Sequence, residues 1–414
     1  MKERFWYTVA VLLSLISVAW PQSPKLLIVD VDDLGRDFLE AYPTPFFQYL
    51  EQNARKYENF YTAPVCSPTR AMMQYGVRAT HPDLECGWLI TDLVNPTYHT
   101  PTDGPLEPLG SALTSHGLTT AKVGKWHLSE VGNTTHPNEC GWQFYAGAMT
   151  NIGDFYNYPA VVNGNQMFVQ GAYVTDLETQ VSIALMGLGV DVVSVSYHSI
   201  HMPFHVPPAG TFSGPTDTDV QKAVAMLENL DLALQQLASS AYANGYTMIL
   251  FGDNGTLGVL GTGGAKGCVC DRGVRTWMYC IAPDGSILPG QDDSLVGVYD
   301  IYRTAFEFFG KVPAADQGPE SVSFVPTWGG MPNNRTSVFT DRYSFNGEPP
   351  VVDSEWHSAV RGPRYKYRRH FGNHRFFDML VDPFETNNLL GGFMTQDEHA
   401  EYISLLNEWS AWTQ

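Results

Sequence analysis

Three apolar runs in this chain are each followed within a few residues by acidic, amide or histidine side chains. This repeated pattern constrains the fold more than any other feature of the sequence. The runs cover residues 25–31, 190–197 and 246–251 and are rich in branched apolar residues. Such runs are typical of strands that are buried on both faces of a parallel sheet. Open α/β sheets carry their sites beyond the carboxyl ends of their strands, so the polar residues that follow are candidate site residues.

Helical patterns separate these strands. Residues 108–116 fit a short amphipathic helix closed by Gly117, and residues 119–123 fit another strand. Residues 219–243 carry apolar side chains at three- and four-residue spacing and stop before Asn244-Gly245. The alternation predicts an α/β fold with a mainly parallel central sheet that helices flank on both faces.

The pattern changes after about residue 330. Short runs such as SVFT, YKYRRHF and FFDML predict a smaller C-terminal antiparallel sheet. We therefore expect a main domain over residues 23–330 and a C-terminal subdomain over residues 331–414.

The N-terminus predicts export. Two basic residues, an uncharged apolar run over residues 5–19 and the breaker PQSP are typical of a secretory signal peptide over residues 1–22. An uncleaved N-terminal anchor is the alternative. No later segment approaches the length of an apolar span, so we expect an exported protein without a stable membrane span.

The charge of the chain limits its partners. Forty-three acidic residues against 24 lysines and arginines give a formal net charge of -19. Such a surface argues against nucleic acid and anionic membranes as partners. If the substrate is an anion, the positive charge that receives it must be local.

Export also bears on the cysteines and on glycosylation. An exported chain can form disulfides, but their connectivity does not follow from sequence. The spacing of Cys268 and Cys270 is too short for a zinc site, and Asn133 and Asn334 match the N-glycosylation pattern. If Cys66 is set aside, at least one other cysteine is unpaired, because five remain: Cys86, Cys140, Cys268, Cys270 and Cys280.

Five polar clusters stand after predicted strands or turns. Each alone has an ordinary explanation, since adjacent aspartates often cap turns and a lone histidine is usually a core or surface residue. Their joint occurrence in one α/β pattern indicates a site. The clusters are Asp32-Asp33, Cys66-x-Pro-x-Arg70, Gly124-Lys125-Trp126-His127, His201-x-Pro203 and Asp253-Asn254.

These clusters, together with Lys266 nine residues before Arg275, resemble the motifs of the formylglycine-dependent sulfatases of the alkaline phosphatase superfamily. The resemblance runs from Lys25 to about Leu390. It departs from the family where residues 73–78 replace the usual Leu-Thr-Gly-Arg turn and where Asp271-Arg272 replaces Glu-Gly. It implies an alkaline phosphatase-like fold and an arylsulfatase-like sulfuric ester hydrolase that acts on an aryl or carbohydrate sulfate.

The resemblance also implies that Cys66 is oxidised to formylglycine by a formylglycine-generating enzyme, which reads the unfolded Cys-x-Pro-x-Arg segment during export. The alternative is an ordinary structural or disulfide cysteine. Hydration of the aldehyde would give one hydroxyl for attack and a second for release, which a thiol lacks.

The roles of the other residues follow from the same resemblance. Arg70 and Lys125 would orient the hydrated aldehyde, and His127 would accept a proton from it. His201 and Lys266 would bind the sulfate and protonate the leaving oxygen. Hard oxygen ligands suit Ca²⁺, with Mg²⁺ as the alternative. The metal ligands would be Asp32, Asp33, the converted Cys66, Asp253 and Asn254.

Two other functions remain open at this stage. A phosphonate monoester or phosphodiester hydrolase would use the same scaffold, and an inactive secreted binding protein would retain the fold.

Outside the clusters, we expect His198 and His205 at a pocket rim or in solvent. Trp126 and Trp142 belong in the core or beside a sugar or aryl group. The basic residues of segment 365–369 belong on a solvated strand face, with contact to an anionic substrate as the alternative.

Overall fold

The structure is a computed structural model that describes residues 23–91, 95–343, 346–347 and 356–412. The predicted signal peptide over residues 1–22 lies outside these residues. Within the described ranges, no helix combines the length and the apolar composition that a membrane crossing requires.

Fourteen strands form two sheets in the described part of the chain. The first sheet contains β1 Lys25–Val31, β2 Arg55–Tyr61, β3 Thr120–Gly124, β4 Phe144–Gly147, β5 Asn157–Val162, β6 Asn165–Gln170, β7 Val192–Tyr197, β8 Tyr246–Gly252, β9 Arg275–Ile281 and β10 Gly290–Gly297. The second contains β11 Val338–Arg342, β12 His357–Arg361, β13 Tyr365–His370 and β14 Asn373–Asp378.

The helices between these strands vary from single turns to 25 residues. They are α1 Arg36–Ala41, α2 Pro45–Asn53, α3 Cys66–Tyr75, α4 Leu109–Ser115, α5 His136–Glu139, α6 Val174–Gly187, α7 Asp219–Ala243, α8 Asp271–Val274, α9 Asp300–Phe308, α10 Val325–Trp328 and α11 Gln396–Trp412. The two predicted helices are confirmed as α4 and α7, and α7 begins with a capping box between Thr218 and Gln221.

The large sheet has the strand order β10-β2-β9-β8-β1-β7-β3-β4-β5-β6. Among its described strands, β5 and β9 run opposite to the other eight, so the predicted mainly parallel sheet is confirmed. Apolar cores cover both faces, with α3, α4 and α9 on one side and α1, α2, α6 and α7 on the other.

The register of the central strands positions the polar clusters. Val31 at the end of β1 lies opposite Tyr197 of β7 and Gly252 of β8. The three strands therefore end at the same level, and the polar residues that follow them meet at one edge of the sheet.

The predicted C-terminal antiparallel sheet is also confirmed. Strands β11 to β14 pair in sequence order. One face of this sheet packs against α11 through a small core that includes Phe339, Val360, Tyr367 and Leu405. Its opposite face lies against the large sheet, since Thr340 Oγ1 donates to the Thr62 carbonyl at 2.8 Å.

The expectation of a solvated basic face on β13 is wrong. Lys366 is fully buried, and its Nζ donates to Asp271 Oδ1 and Glu385 Oε1, both at 2.8 Å. Arg368 is also buried and bonds to Glu385. The sequence pattern could not show that this face is covered by a loop of the other sheet.

Lys366→Met is expected to destabilise the protein strongly. Losing the ammonium leaves the buried Asp271 without its lysine partner and leaves Glu385 with Arg368 alone. Breaking a buried ion pair typically costs about 3–5 kcal/mol of the free energy of unfolding. Urea titration followed by tryptophan fluorescence measures it. The matched control is Arg364→Met on the same hairpin, whose half-exposed side chain pairs with Asp378 and should matter far less. Equal effects of the two substitutions would contradict this account.

The cysteines are distributed as the sequence allowed. Cys268 and Cys270 form a disulfide. Four cysteines are free and buried, which confirms that at least one cysteine besides Cys66 is unpaired: Cys66, Cys86, Cys140 and Cys280.

Candidate active site

Asp32 and Asp33 lie directly after β1, and both are buried. Asp33 adopts a left-handed backbone with φ 60°, which is uncommon outside glycine, although Asp and Asn tolerate it best. Its backbone N–H donates to Asp253 Oδ1 at 3.1 Å. This bond joins the end of β1 to the loop after β8 and holds three carboxylates together.

Cys66 is the first residue of α3 and is fully buried. Its Sγ lies 3.1 Å from Asp32 Oδ1, and Lys266 Nζ lies 3.3 Å from the same sulfur. Burial and then the charge of Asp32 raise the pKa of the Cys66 thiol well above its ordinary value. The unmodified side chain is therefore a neutral thiol, which is a poor nucleophile.

Arg70 lies one helical turn after Cys66 and faces the same carboxylates. Its Nη2 is 3.4 Å from Asp253 Oδ2, and its Nη1 is 2.7 Å from Asp30 Oδ2. Lys125, at the end of β3, donates to Asp32 Oδ2. Predicted cationic residues thus contact predicted metal ligands directly.

Cys66, His201 and two aspartates place one ligand atom each within 4.8 Å of one another. The aspartates are Asp32 and Asp33, and Asn254 Nδ2 donates to Asp33 Oδ1 at 2.9 Å. Asp33 Oδ2 and Asn254 Oδ1 are buried without a hydrogen-bond partner among the described residues. Buried orphan oxygens of this kind are costly, so these two oxygens suit a hard divalent cation.

The electrostatics of the carboxylates support the same interpretation. Burial opposes ionisation of Asp32, but Lys125, His201 and Arg70 outweigh it and hold the pKa of Asp32 well below its ordinary value. Burial and the charge of Asp32 raise the pKa of Asp253 instead. Carboxylates that compete in this way are relieved by a bound cation.

His127 is buried and has φ 61°. Neither ring nitrogen has a hydrogen-bond partner in the described part of the structure. Burial, and then the charges of Lys125 and Arg70, lower the pKa of His127 well below its ordinary value. The neutral ring can therefore accept a proton.

His201 and Lys266 lie where the site opens, with side chains 13% and 10% exposed. His201 Nε2 is 3.7 Å from Asp33 Oδ2, and its Nδ1 donates to the Met202 carbonyl at 2.5 Å. Burial lowers the pKa of His201 to about 4, whereas Asp33 raises the pKa of Lys266 against the effect of burial. Lys266 also bonds to Asp33 Oδ1.

The structure thus brings every predicted site residue to the carboxyl edge of the sheet, although His127 makes no side-chain hydrogen bond there. Sequence reasoning missed Asp30, which binds Arg70 and accepts from Ser196 Oγ. Lys122 Nζ lies 3.5 Å from the same aspartate and donates to Ser194 Oγ at 3.0 Å. The sequence did carry a signal for Asp30, because it is a charged residue near the end of a strand whose neighbours are apolar.

Three other expectations are resolved here. The rim position of His198 is wrong, because it is buried and its Nδ1 lies 2.5 Å from Glu178 Oε1. His205 is partly exposed and stacks on Phe155 at 5.2 Å. Trp126 and Trp142 belong to the core rather than to a substrate pocket.

Comparison with known proteins identifies the family of this chain. A sequence profile of the sulfatase family matches residues 24–310. Arylsulfatase J from Mus musculus is 26% identical over 299 residues, which is 64% of this chain. The chain spans about half, 49%, of the length of that relative.

Solved structures share the fold. Ps i-CgsB superposes with a TM-score of 0.81 at 17% identity over 95% of this chain and 93% of that one, and it has also been solved with k-i-k-neocarrahexaose. BT4656, solved with D-glucosamine-2-N,6-O-disulfate, superposes with a TM-score of 0.74 at 16% identity over 95% of this chain and 98% of that one.

The profile match covers more than half of the chain and includes all of the site residues described above. The solved structures share the fold over 95% of this chain, which confirms the expected α/β architecture with a smaller C-terminal sheet. This chain belongs to the sulfatase family.

Proposed function

We propose that this protein is a sulfuric ester hydrolase. The observation that carries the proposal is the contact of Cys66 with Asp32 and Lys266 at the carboxyl edge of the sheet. That contact places a modifiable side chain between an acidic, metal-suited cluster and a retained positive charge. Such a site stabilises the charge that develops on a tetrahedral anion.

We propose that Cys66 is the precursor of formylglycine, whose hydrated aldehyde supplies the nucleophile and a second hydroxyl for release. Every residue of α3 is buried in the folded chain. A formylglycine-generating enzyme must therefore reach the segment before folding, which agrees with conversion during export after the predicted signal peptide.

Asp32, Asp33, Asp253 and Asn254 would hold a divalent metal together with the converted Cys66. We propose Ca²⁺, with Mg²⁺ as the alternative, because all of these ligands are hard oxygens. When bound, the metal polarises a sulfate oxygen and lowers the pKa of an adjacent hydroxyl.

The cationic residues of the chain would neutralise the sulfate. Lys266 keeps its proton beside Asp33 and is suited to bind the anion and protonate the leaving oxygen. His201 donates from Nδ1 to Met202, so its neutral form presents an unprotonated Nε2 to the site. His201 must therefore take up a proton from solvent before it can act as an acid. The negative charge of a bound substrate favours this uptake.

Arg70 and Lys125 would orient the nucleophile from the side of the sheet. Both lie against carboxylates that hold them in place, Arg70 against Asp253 and Lys125 against Asp32. His127 would accept a proton at a free ring nitrogen when sulfate is released, since its neutral form is favoured.

We propose a carbohydrate sulfate as the substrate, because one structural neighbour was solved with D-glucosamine-2-N,6-O-disulfate and another with k-i-k-neocarrahexaose. An aryl sulfate would serve as a small test substrate. Phosphonate monoesters and phosphodiesters share the tetrahedral geometry, and no contact among the described site residues favours them.

Two measurements test the proposal. Mass spectrometry of the tryptic peptide 57–70 from the native host should show an aldehyde in place of the thiol. The converted protein should then hydrolyse sulfate esters in preference to phosphonate monoesters and phosphodiesters. A preference for the phosphorus esters would support the sister chemistry, and converted protein with no activity on any ester would support an inactive binding homologue.

Asp30→Asn is expected to lower turnover by about 10- to 100-fold without changing the reacting groups, since lost support of a site residue typically has this effect. Asp30 holds Arg70 at 2.7 Å and balances Lys122, a buried amine whose pKa burial lowers to about 8. Without the carboxylate, two buried cations repel each other and Arg70 loses its anchor.

The readout is kcat on a small sulfate ester, with formylglycine content and melting temperature measured on the same sample. Asp30→Asn/Lys122→Met removes the repulsion and should recover part of the loss. A fall that follows melting temperature alone, without recovery in the double variant, would make Asp30 merely structural.

A further inference from the structure

A row of positively charged and titratable side chains crosses the C-terminal sheet on the face that lies against the large sheet. Arg342 pairs with His357, and the register of β12 and β13 places His370 beside His357 on the same face. Arg368 of β13 pairs with Arg375 of β14, and Arg368 lies on the same face two residues before His370. We call Arg342, His357, His370, Arg368 and Arg375 the cationic row.

The cationic row begins beside the candidate active site. Arg342 Nη1 donates to the carbonyl of Gly267, the residue after Lys266. The N–H of Gly267 donates to the Pro64 carbonyl at 2.8 Å, in the loop that leads to Cys66. A ligand seated at Lys266 therefore has the cationic row next to it.

The electrostatics of the row are those of an anion site. Glu385 neutralises part of the charge, because it accepts from both Arg368 and Lys366. His357 and His370 meet through their Nδ1 atoms at 2.7 Å. Burial, and then the neighbouring His370, Arg342 and Arg368, lower the pKa of His357 to about 4. An anion placed here would relieve this mutual repulsion.

Aromatic rings flank the row at both ends. The Arg342 guanidinium lies 4.3 Å from the centroid of Trp88. Phe371 is 60% exposed, and its ring centroid is 4.5 Å from those of His357 and His370. An exposed ring beside cationic groups offers both apolar and charged contacts to a sugar.

The backbone at Phe371 is strained. Phe371 and Gly372 form the two-residue turn between β13 and β14, with φ 46° and 71°. Turns with two positive φ values usually carry Asn-Gly, because a bulky side chain is disfavoured there. Strain of this kind is often retained where a side chain contacts a ligand.

We propose that the cationic row binds a second anionic group, a sulfate or a carboxylate, on a sugar next to the one that carries the scissile sulfate ester. The substrate is then an oligosaccharide with at least two anionic groups. This inference rests on the proposed function and names its substrate class.

Calorimetric titration of the full chain tests the row directly. The probes are neocarrahexaose, which carries sulfates only, a hyaluronan hexasaccharide, which carries carboxylates only, and neutral maltohexaose. We expect one or both anionic probes to bind and maltohexaose not to bind. Their relative affinities distinguish sulfate from carboxylate, and binding of neither anionic probe would overturn the proposal.

His370→Gln/Arg375→Gln should weaken binding of the preferred anionic probe by about 10-fold or more, because the guanidinium of Arg375 would make a charge-assisted contact that glutamine cannot replace. The matched control is Arg364→Gln, on the same sheet but at the opposite end of β13, and it should leave the affinity unchanged. Equal affinities in the double variant and the wild type would contradict the proposal.

Phe371→Asn separates binding from folding. Asparagine tolerates the left-handed backbone, so the melting temperature should stay the same or rise. Affinity for the anionic probe should nevertheless fall, because the aromatic platform is lost. Unchanged affinity would remove Phe371 from the site, and a lower melting temperature would show that its role is structural.

Kinetics distinguish failure of this inference from failure of the proposed function. If 4-nitrophenyl sulfate is hydrolysed but the row variants bind every probe like the wild type, the subsite is wrong and the proposed function stands. If no sulfate ester is hydrolysed but binding depends on the row, the hydrolase proposal fails and the anion site remains.

Discussion

Cys66→Ala is expected to abolish hydrolysis of every sulfate ester, with a loss of kcat of about 10⁴-fold or more, the scale seen when a nucleophile is removed. The side chain lies between Asp32 and Lys266 and is the group from which formylglycine would form. Alanine removes the nucleophile and its release route together, so the remaining residues have nothing to activate.

The fold should survive this substitution. Cys66 makes no disulfide, and alanine fits a fully buried position with the loss of one sulfur. The matched control is Cys280→Ala, another free and fully buried cysteine, which lies in the apolar core. It should retain turnover even if stability falls. Full turnover in Cys66→Ala would remove this residue from the mechanism.

Asp33→Asn is expected to cause the second largest loss, because this residue lies at the centre of the acidic cluster. Its carboxylate contacts Lys266 and Asn254, and one of its oxygens has no hydrogen-bond partner among the described residues. An amide supplies a weaker ligand and its N–H₂ group repels a cation. We expect metal affinity and turnover to fall by about 100-fold or more, because losing a direct ligand exceeds the roughly 10- to 100-fold typical of changes to the residues that support ligands.

Metal content by mass spectrometry and turnover after chelation measure this effect. Chelator should inactivate the wild type, and adding back Ca²⁺ or Mg²⁺ should show which ion restores it. Asp154→Asn changes a half-exposed carboxylate outside the cluster and should alter neither quantity. Normal metal content with low turnover in Asp33→Asn would show that Asp33 acts on Lys266 instead.

Much of the fold could be predicted because its signals are local. Branched apolar runs identified β1, β7 and β8, and the apolar spacing over residues 219–243 identified α7 with its observed bounds. Parallel strands place their carboxyl ends at one edge, so the residues after them could be assigned to one site before any distance was known.

The supporting contacts could not be predicted in this way. Asp30 and Lys122 lie in strands that are far apart in sequence, and only the strand register shows that both lie beside Arg70. Glu178 and His198 likewise meet across two elements. The sequence separation of neither pair distinguishes it from two polar residues that do not contact each other.

The sequence by itself determined the order of strands and helices and the identity of the residues at the carboxyl edge, Cys66 among them. Periodicity and short motifs act over a few residues, so they can be recognised without knowing how the chain closes. Only the tertiary structure decided that Lys366 is buried against Asp271 and that Arg342 reaches Gly267 beside the active-site lysine. These contacts depend on how the C-terminal sheet packs against the large sheet. The two packed surfaces are built from segments far apart in sequence, so no local pattern reveals them.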